Sequence, residues 1–117
     1  VGRYFVVVFY SPWFRNEGLK GVRRVFSEKL GYRFLNDTEK GCWWEKGSKM
    51  ATFIGLVNWK FLYRRVFVEQ IAQDKVKFTY YFSWLTNVGV LMSAAREELG
   101  YLQRVFQAEK MEVERLR

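Results

Sequence analysis

Two stretches of the chain carry residue types that could recognise a charged partner. Trp59, Lys60, Phe61, Tyr63, Arg64 and Arg65 lie in one, and Lys75, Lys77, Thr79 and Tyr81 lie in the other. Arginine and lysine neutralise phosphates while exposed rings stack on bases, which is how many open sheets hold single-stranded nucleic acid. The same ingredients suit an anionic membrane surface, where tryptophan and tyrosine sit at the interface. They also suit an acidic protein, since tryptophan, tyrosine and arginine are enriched at protein interfaces. No RNA-binding signature accompanies them, so the signal is composition at a workable spacing.

Catalytic chemistry has few carriers here. The chain has no histidine, which removes the usual serine and cysteine triads, imidazole metal sites and the commonest general base. Ser48 beside Lys46 or Lys49 could form a Ser–Lys arrangement, but nothing nearby would orient the base. Gly47-Ser48-Lys49 lacks the longer glycine pattern of a phosphate loop and reads as a turn, at most a weak backbone nest for an anion. Asp37 and Glu39 share one turn beside Lys40, where solvated acids are the plainer reading. Cysteine spacing for zinc is absent, since Cys42 is the single cysteine. Cys42 also lacks a histidine partner, although Lys40 or Lys46 would lower its pKa modestly. No catalytic residue, cofactor or metal site is expected.

Cys42-Trp43-Trp44 is the oddest local feature. In a strand the two tryptophans must face opposite sides, so one can fill the core while the other covers an edge or offers a platform. Trp44 is taken as the binding candidate. With Lys60, Tyr63, Arg64, Arg65, Lys77 and Tyr81 it completes the candidate site.

A sheet must position these residues. Val76 to Trp84 alternates, with Val76, Phe78, Tyr80, Phe82 and Trp84 on one side and Lys77, Thr79, Tyr81 and Ser83 on the other, the pattern of a half-buried antiparallel strand. Gln73-Asp74-Lys75 turns the chain, so the strand candidate Lys60–Ile71 pairs with it as a hairpin. Tyr4–Tyr10 is β-branched and aromatic on both faces and suits a central strand. Asn16 and Glu17 suit a helix start, and Leu19, Val22, Val25, Phe26 and Leu30 follow at helical spacing until Gly31 stops them. Tyr32–Asn36 and Gly41–Glu45 form a second hairpin. Met50–Trp59 is apolar without a clean period and reads as irregular. Thr86 or Asn87 can cap a last helix from about Val88 towards the C-terminus. Its apolar residues Met92, Ala95, Leu99, Leu102, Phe106, Val113 and Leu116 run at 3-4 spacing, interrupted by Glu109, and beyond about Phe106 charges dominate.

Composition and charge fit this plan. The chain has 117 residues, enough for one core, and 20% of them are aromatic, so disorder is not expected. The net charge of +8 lies in the first part: through Arg65 there are 13 Lys/Arg against 5 Asp/Glu, and beyond it 7 against 7. Such an excess favours an acidic partner, with ordinary solvated charge standing equally beside it. Tyr4–Tyr10 has only a strand's length and no small-residue cleavage site behind it, unlike a signal peptide. Phe78–Ala95 is uncharged over nearly the length of a membrane span, but its alternation and its Thr, Ser, Asn and Gly content read as strand, turn and helix start.

The expectation is therefore a single α+β domain over residues 1–117. It has an antiparallel sheet of four to five strands in strand-helix-strands-helix order, with two helices on one face and residues 107–117 as a projecting helical tail. The expected function is a non-enzymatic interaction module whose basic, aromatic face binds an acidic partner: nucleic acid, an anionic membrane surface or an acidic protein. Two alternatives stand beside it, an assembly subunit that forms a homo-oligomer through its C-terminal helix, and a small apolar-ligand-binding domain. An intracellular, cytoplasmic setting is expected, with peripheral membrane attachment left open.

Overall fold

The alternation in Val76–Phe82 organises the whole architecture. A computed structural model of the protein describes residues 3–47, 59, 62–82 and 88–116. The strands are β1 (Arg3–Tyr10), β2 (Arg33–Asp37), β3 (Gly41–Lys46), β4 (Arg64–Ala72), β5 (Lys75–Phe82) and β6 (Lys110–Leu116). They form one antiparallel sheet in the order β2-β3-β4-β5-β1-β6. The helices are α1 (Trp13–Arg24), which runs on as a π-helical turn over Val25–Lys29, and α2 (Val88–Val105). The α+β class and the antiparallel sheet are as expected, with six strands rather than four to five.

Strand parity decides which side chains form the core. Val76, Phe78, Tyr80 and Phe82 are buried on one face of β5, level with Phe5, Val7 and Phe9 of β1 and with Val66 and Val68 of β4. Rings from the helical segments meet this same face. Phe26 stacks on Phe78 at 5.6 Å and touches Trp44 at the same distance. Phe106, just past α2, meets Phe9 at 5.5 Å and Phe78 at 5.8 Å. Each such side chain contributes about 1.5–3 kcal/mol by leaving water.

Two features of the first helix differ from the sequence reading. Helix α1 begins at Trp13, behind Pro12, rather than at Asn16, and breaks at Gly18, whose φ of 57° belongs to the left-handed region that glycine enters freely. Leu19 therefore opens a second helical piece close to the expected start. That piece ends as expected at Gly31, with φ 71°.

The larger correction concerns the C-terminus, which is a strand and not a projecting helical tail. Gln107 takes φ 51°, its N–H donates to the Arg104 carbonyl at 3.2 Å, and the Ala108 N–H donates to Gln103 at 3.0 Å. This pair of bonds is a Schellman stop, here built without glycine. The Glu109 N–H then donates to the Tyr10 carbonyl at 2.8 Å and starts β6 along β1. Lys110, Glu112 and Glu114 alternate with Met111 and Val113, a period of two that the 3-4 spacing of the helix conceals.

Ser11 holds the corner between β1 and α1. Its N–H donates to the Asp74 carbonyl at 2.7 Å, its hydroxyl donates to the carbonyl of Phe106, and its oxygen accepts the Trp13 N–H at 3.1 Å. One buried serine thus joins the β4–β5 turn, the start of α1 and the end of α2. The Ser48–Lys49 turn, the irregular Met50–Asn58 stretch and the cap at Thr86 or Asn87 lie outside the described residues. Among the described residues, no helix is long and apolar enough to cross a membrane.

Candidate binding face and the ion pair beneath it

Arg64 and Arg65 are neighbours in β4 and must point to opposite faces. Arg64 shares the parity of Val66 and Val68, so it enters the core and is completely buried. Its Nε donates to the Tyr32 hydroxyl oxygen at 2.9 Å, and its Nη1 donates to the carbonyls of Leu62 (2.9 Å) and Trp59. Its Nη2 lies 3.4 Å from Glu98 of α2, and its guanidinium sits 4.0 Å above the Trp59 ring.

Glu98 is satisfied just as fully. Its Oε2 accepts the hydroxyls of Tyr32 and Tyr80, both at 2.8 Å, while Oε1 accepts Trp59 Nε1 at 3.2 Å besides Arg64. A carboxylate offers about four acceptor positions, and four donors fill them. Burial pushes the hydroxyls of Tyr32 and Tyr80 well above the ordinary tyrosine value, and the charge of Glu98 pushes them further in the same direction. A carboxylate and a guanidinium whose hydrogen-bonding positions are so thoroughly engaged lock α2 to β4, β5 and the start of β2. They leave no free lone pair aimed at a substrate.

Arg65 has the opposite fate. It is exposed, and its guanidinium lies 5.7 Å over the ring of Trp43 in β3. That ring belongs to a row crossing four strands on the face turned away from the core: Tyr4 to Tyr81 at 5.6 Å, Tyr81 to Trp43 at 5.5 Å, and Trp43 to Phe67 at 4.8 Å. Tyr81 is 37% exposed, and burial followed by the neighbouring Tyr4 raises its pKa. Val6 and Thr79, the short side chains between the rings, are buried.

The charges on this face nearly cancel. Lys77 pairs with Glu69 at 3.6 Å, Lys110 with Glu112 at 3.3 Å, and Arg33 with Glu45. The Tyr63 hydroxyl donates to Glu45 at 2.9 Å. Arg65 and Lys75 form no ion pair among the described residues, and Lys75 lies instead 4.8 Å over the ring of Tyr10. The face is therefore aromatic first and basic second. Much of the positive excess sits elsewhere, on Arg15, Lys20, Arg23, Arg24 and Lys29 of α1 and its π turn.

Of the seven residues expected to form the site, Tyr63, Arg65, Lys77 and Tyr81 share the open face. Trp44 and Arg64 do not: both are buried on the core side, Trp44 in phase with Cys42 and Arg64 in phase with Val66. Lys60 lies outside the described residues. Tyr4, Trp43 and Phe67 belong to the row and were not in the expected site. Parity marks them, because Trp43 alternates with the apolar pair Cys42 and Trp44 and shares its side with Glu45.

Among the described residues, no reactive thiol or metal cluster adds to the picture. Cys42 is buried, and burial raises its pKa rather than the nearby lysines lowering it. Trp44 Nε1 donates to its sulfur at 3.3 Å. Among the described residues, no three His, Cys, Asp or Glu side chains gather closely enough to hold a metal. No protein-family model matches the chain, and no curated protein or solved structure matches it either.

Proposed function

We propose that the protein is a non-enzymatic binding module that works through its open sheet face, and that its partner is single-stranded nucleic acid. The observation that carries this is the ring row Tyr4–Tyr81–Trp43–Phe67 with the unpaired Arg65 stacked beside it. Bases stack on such rings for about 1–3 kcal/mol each, whatever their identity. Among the described residues of this face, Arg65 and Lys75 are the cations outside any ion pair and available to phosphates. The setting we infer is intracellular, because the single cysteine is a buried free thiol.

The near balance of charge on the face gives this reading its own signature. Single-strand affinity falls with salt at about −0.7 log units per log unit of salt for each phosphate neutralised, so two free cations give a slope near −1.4. Fluorescence anisotropy with a labelled unstructured RNA or DNA oligonucleotide, titrated at several salt concentrations, tests it. The expected result is saturable binding with a shallow slope, weakened by Tyr81→Ala and by Arg65→Ala. Absence of binding at low salt, or binding indifferent to both substitutions, overturns it.

For the apolar-ligand alternative, a cavity beside α1 has Trp13, Gly21 and Val25 in its lining and Glu17, Arg24, Glu28 and Lys29 around them, but at about 150 Å³ it is small for such a ligand.

A further inference from the structure

The sheet has two edges, and they are built differently. β2 is five residues long and bulged between Phe34 and Asn36. Its ends are tied by Arg33–Glu45 and Arg23–Asp37 pairs, and the Arg23 guanidinium covers the Phe34 ring at 4.9 Å. Shortness, a bulge and charge are the usual means of blunting an edge against further pairing. β6 has none of the first two. It runs seven residues without glycine, proline or bulge, in unbroken register with β1 from Lys110 opposite Tyr10 to Leu116 opposite Tyr4. No described strand pairs with its outer side, and Val113 there is 41% exposed.

We propose that β6 pairs antiparallel with β6 of a second copy of this chain, in a register centred on Glu112, so that two six-stranded sheets become one continuous sheet. The charges of the strand select both the partner and the register. A strand that pairs with its own copy does so about a two-fold axis perpendicular to the sheet, and opposing residues must share a face. Centring on Val113 sets Glu112 opposite Glu114 twice, which is repulsive. Centring on Met111 engages only Lys110, Met111 and Glu112. Centring on Glu112 sets Lys110 opposite Glu114 twice and Met111 opposite Val113 twice. The single acid–acid contact falls at Glu112, which already has its own Lys110 at 3.3 Å.

The pairing stands apart from the binding reading and rests on a different observation. It also gives the assembly alternative a definite form, a strand edge in place of a helix. The perpendicular axis keeps both open faces on the same side, with Tyr10, Lys75 and Lys110 of each copy near the seam.

Light scattering on the purified full chain, combined with cysteine cross-linking, tests the proposal. The expected mass at the highest soluble concentration is twice that of the 14.1 kDa chain. Lys110→Glu and Glu114→Lys each return it to the monomer value, and the double swap restores the doubled mass. Glu112→Cys forms a covalent dimer on mild oxidation while Val113→Cys does not, because only residue 112 meets its own copy within disulfide reach. Circular dichroism confirms that each variant is folded before its mass is read. A monomeric mass for the unaltered chain overturns the proposal, as does equal cross-linking at positions 112 and 113.

Discussion

Arg64 and Arg65 differ by one position in the chain and by everything in their surroundings. The first is dry, with donors on three of its nitrogens engaged and a carboxylate 3.4 Å away. The second is wet, without an acidic partner among the described residues and resting against a ring. The same side chain is structural on one face of β4 and available on the other, and strand parity alone separates them. In this sheet the type of a residue says what it can do, and its phase says whether it is free to do it.

The sharpest way to break this contrast is to remove each arginine in turn. Arg64→Ala leaves the Glu98 charge buried without its partner and is expected to cost about 3–5 kcal/mol in chemical denaturation. Arg65→Ala is expected to change stability by no more than about 0.5 kcal/mol, the usual range for an exposed site. Equal losses for the two would erase the distinction between the faces. Trp44→Ala and Tyr81→Ala extend the comparison to rings, with about 3–5 kcal/mol expected for the buried Trp44 and a smaller loss for the part-exposed Tyr81.

Tyrosine ionisation sharpens the contrast through pH. Tyr32 and Tyr80 have folded-state pKa values raised well above 10.0. Above pH 10 the unfolded chain sheds these protons while the folded chain keeps them, so stability is fully present below about pH 10 and falls as pH rises beyond it. Tyr32→Phe and Tyr80→Phe are each expected to lower stability at neutral pH by about 1–3 kcal/mol, through the lost bond to a buried charge. Both are also expected to flatten the alkaline decline, which urea titrations at neutral and high pH would resolve. Tyr81→Phe, on the open face, is expected to alter the decline least.

The smallest expected change is a gain. Gln107 holds a left-handed conformation that costs a non-glycine residue about 1–2 kcal/mol, so Gln107→Gly is expected to raise the thermal midpoint slightly. An unchanged or lowered midpoint would show that the Schellman stop depends on the glutamine side chain.

Much of the architecture was legible in the chain, and the failures have separate physical causes. The β4–β5 hairpin, the core side of β5 and the stop at Gly31 follow directly from alternation and glycine chemistry. Lys110–Leu116 was misread because Val113 and Leu116 continue the helical spacing from Phe106, and the glycine-free stop at Gln107 left no mark. The site was partly visible. Glu98 is three residues after Ala95 and four before Leu102, on the apolar stripe of α2, and a carboxylate there needs a buried cation. Arg64 shares the phase of Val66 and Val68, which names it as that cation. The approach of Trp59 and Tyr32 to the pair was not readable, because it depends on tertiary placement rather than on any local pattern.

The insertion of β1 between β5 and β6 has a consequence for how the chain comes into being. Tyr4–Tyr10 is the first strand a ribosome makes among these six, yet both of its hydrogen-bonding neighbours are made last. Until then Phe5, Val7 and Phe9 have no sheet to join, and an uncharged β-branched and aromatic segment is free to associate with its like. Assembly is thus gated by the emergence of β5 and β6, and the interval before β5 emerges is when a chaperone's protection would matter most.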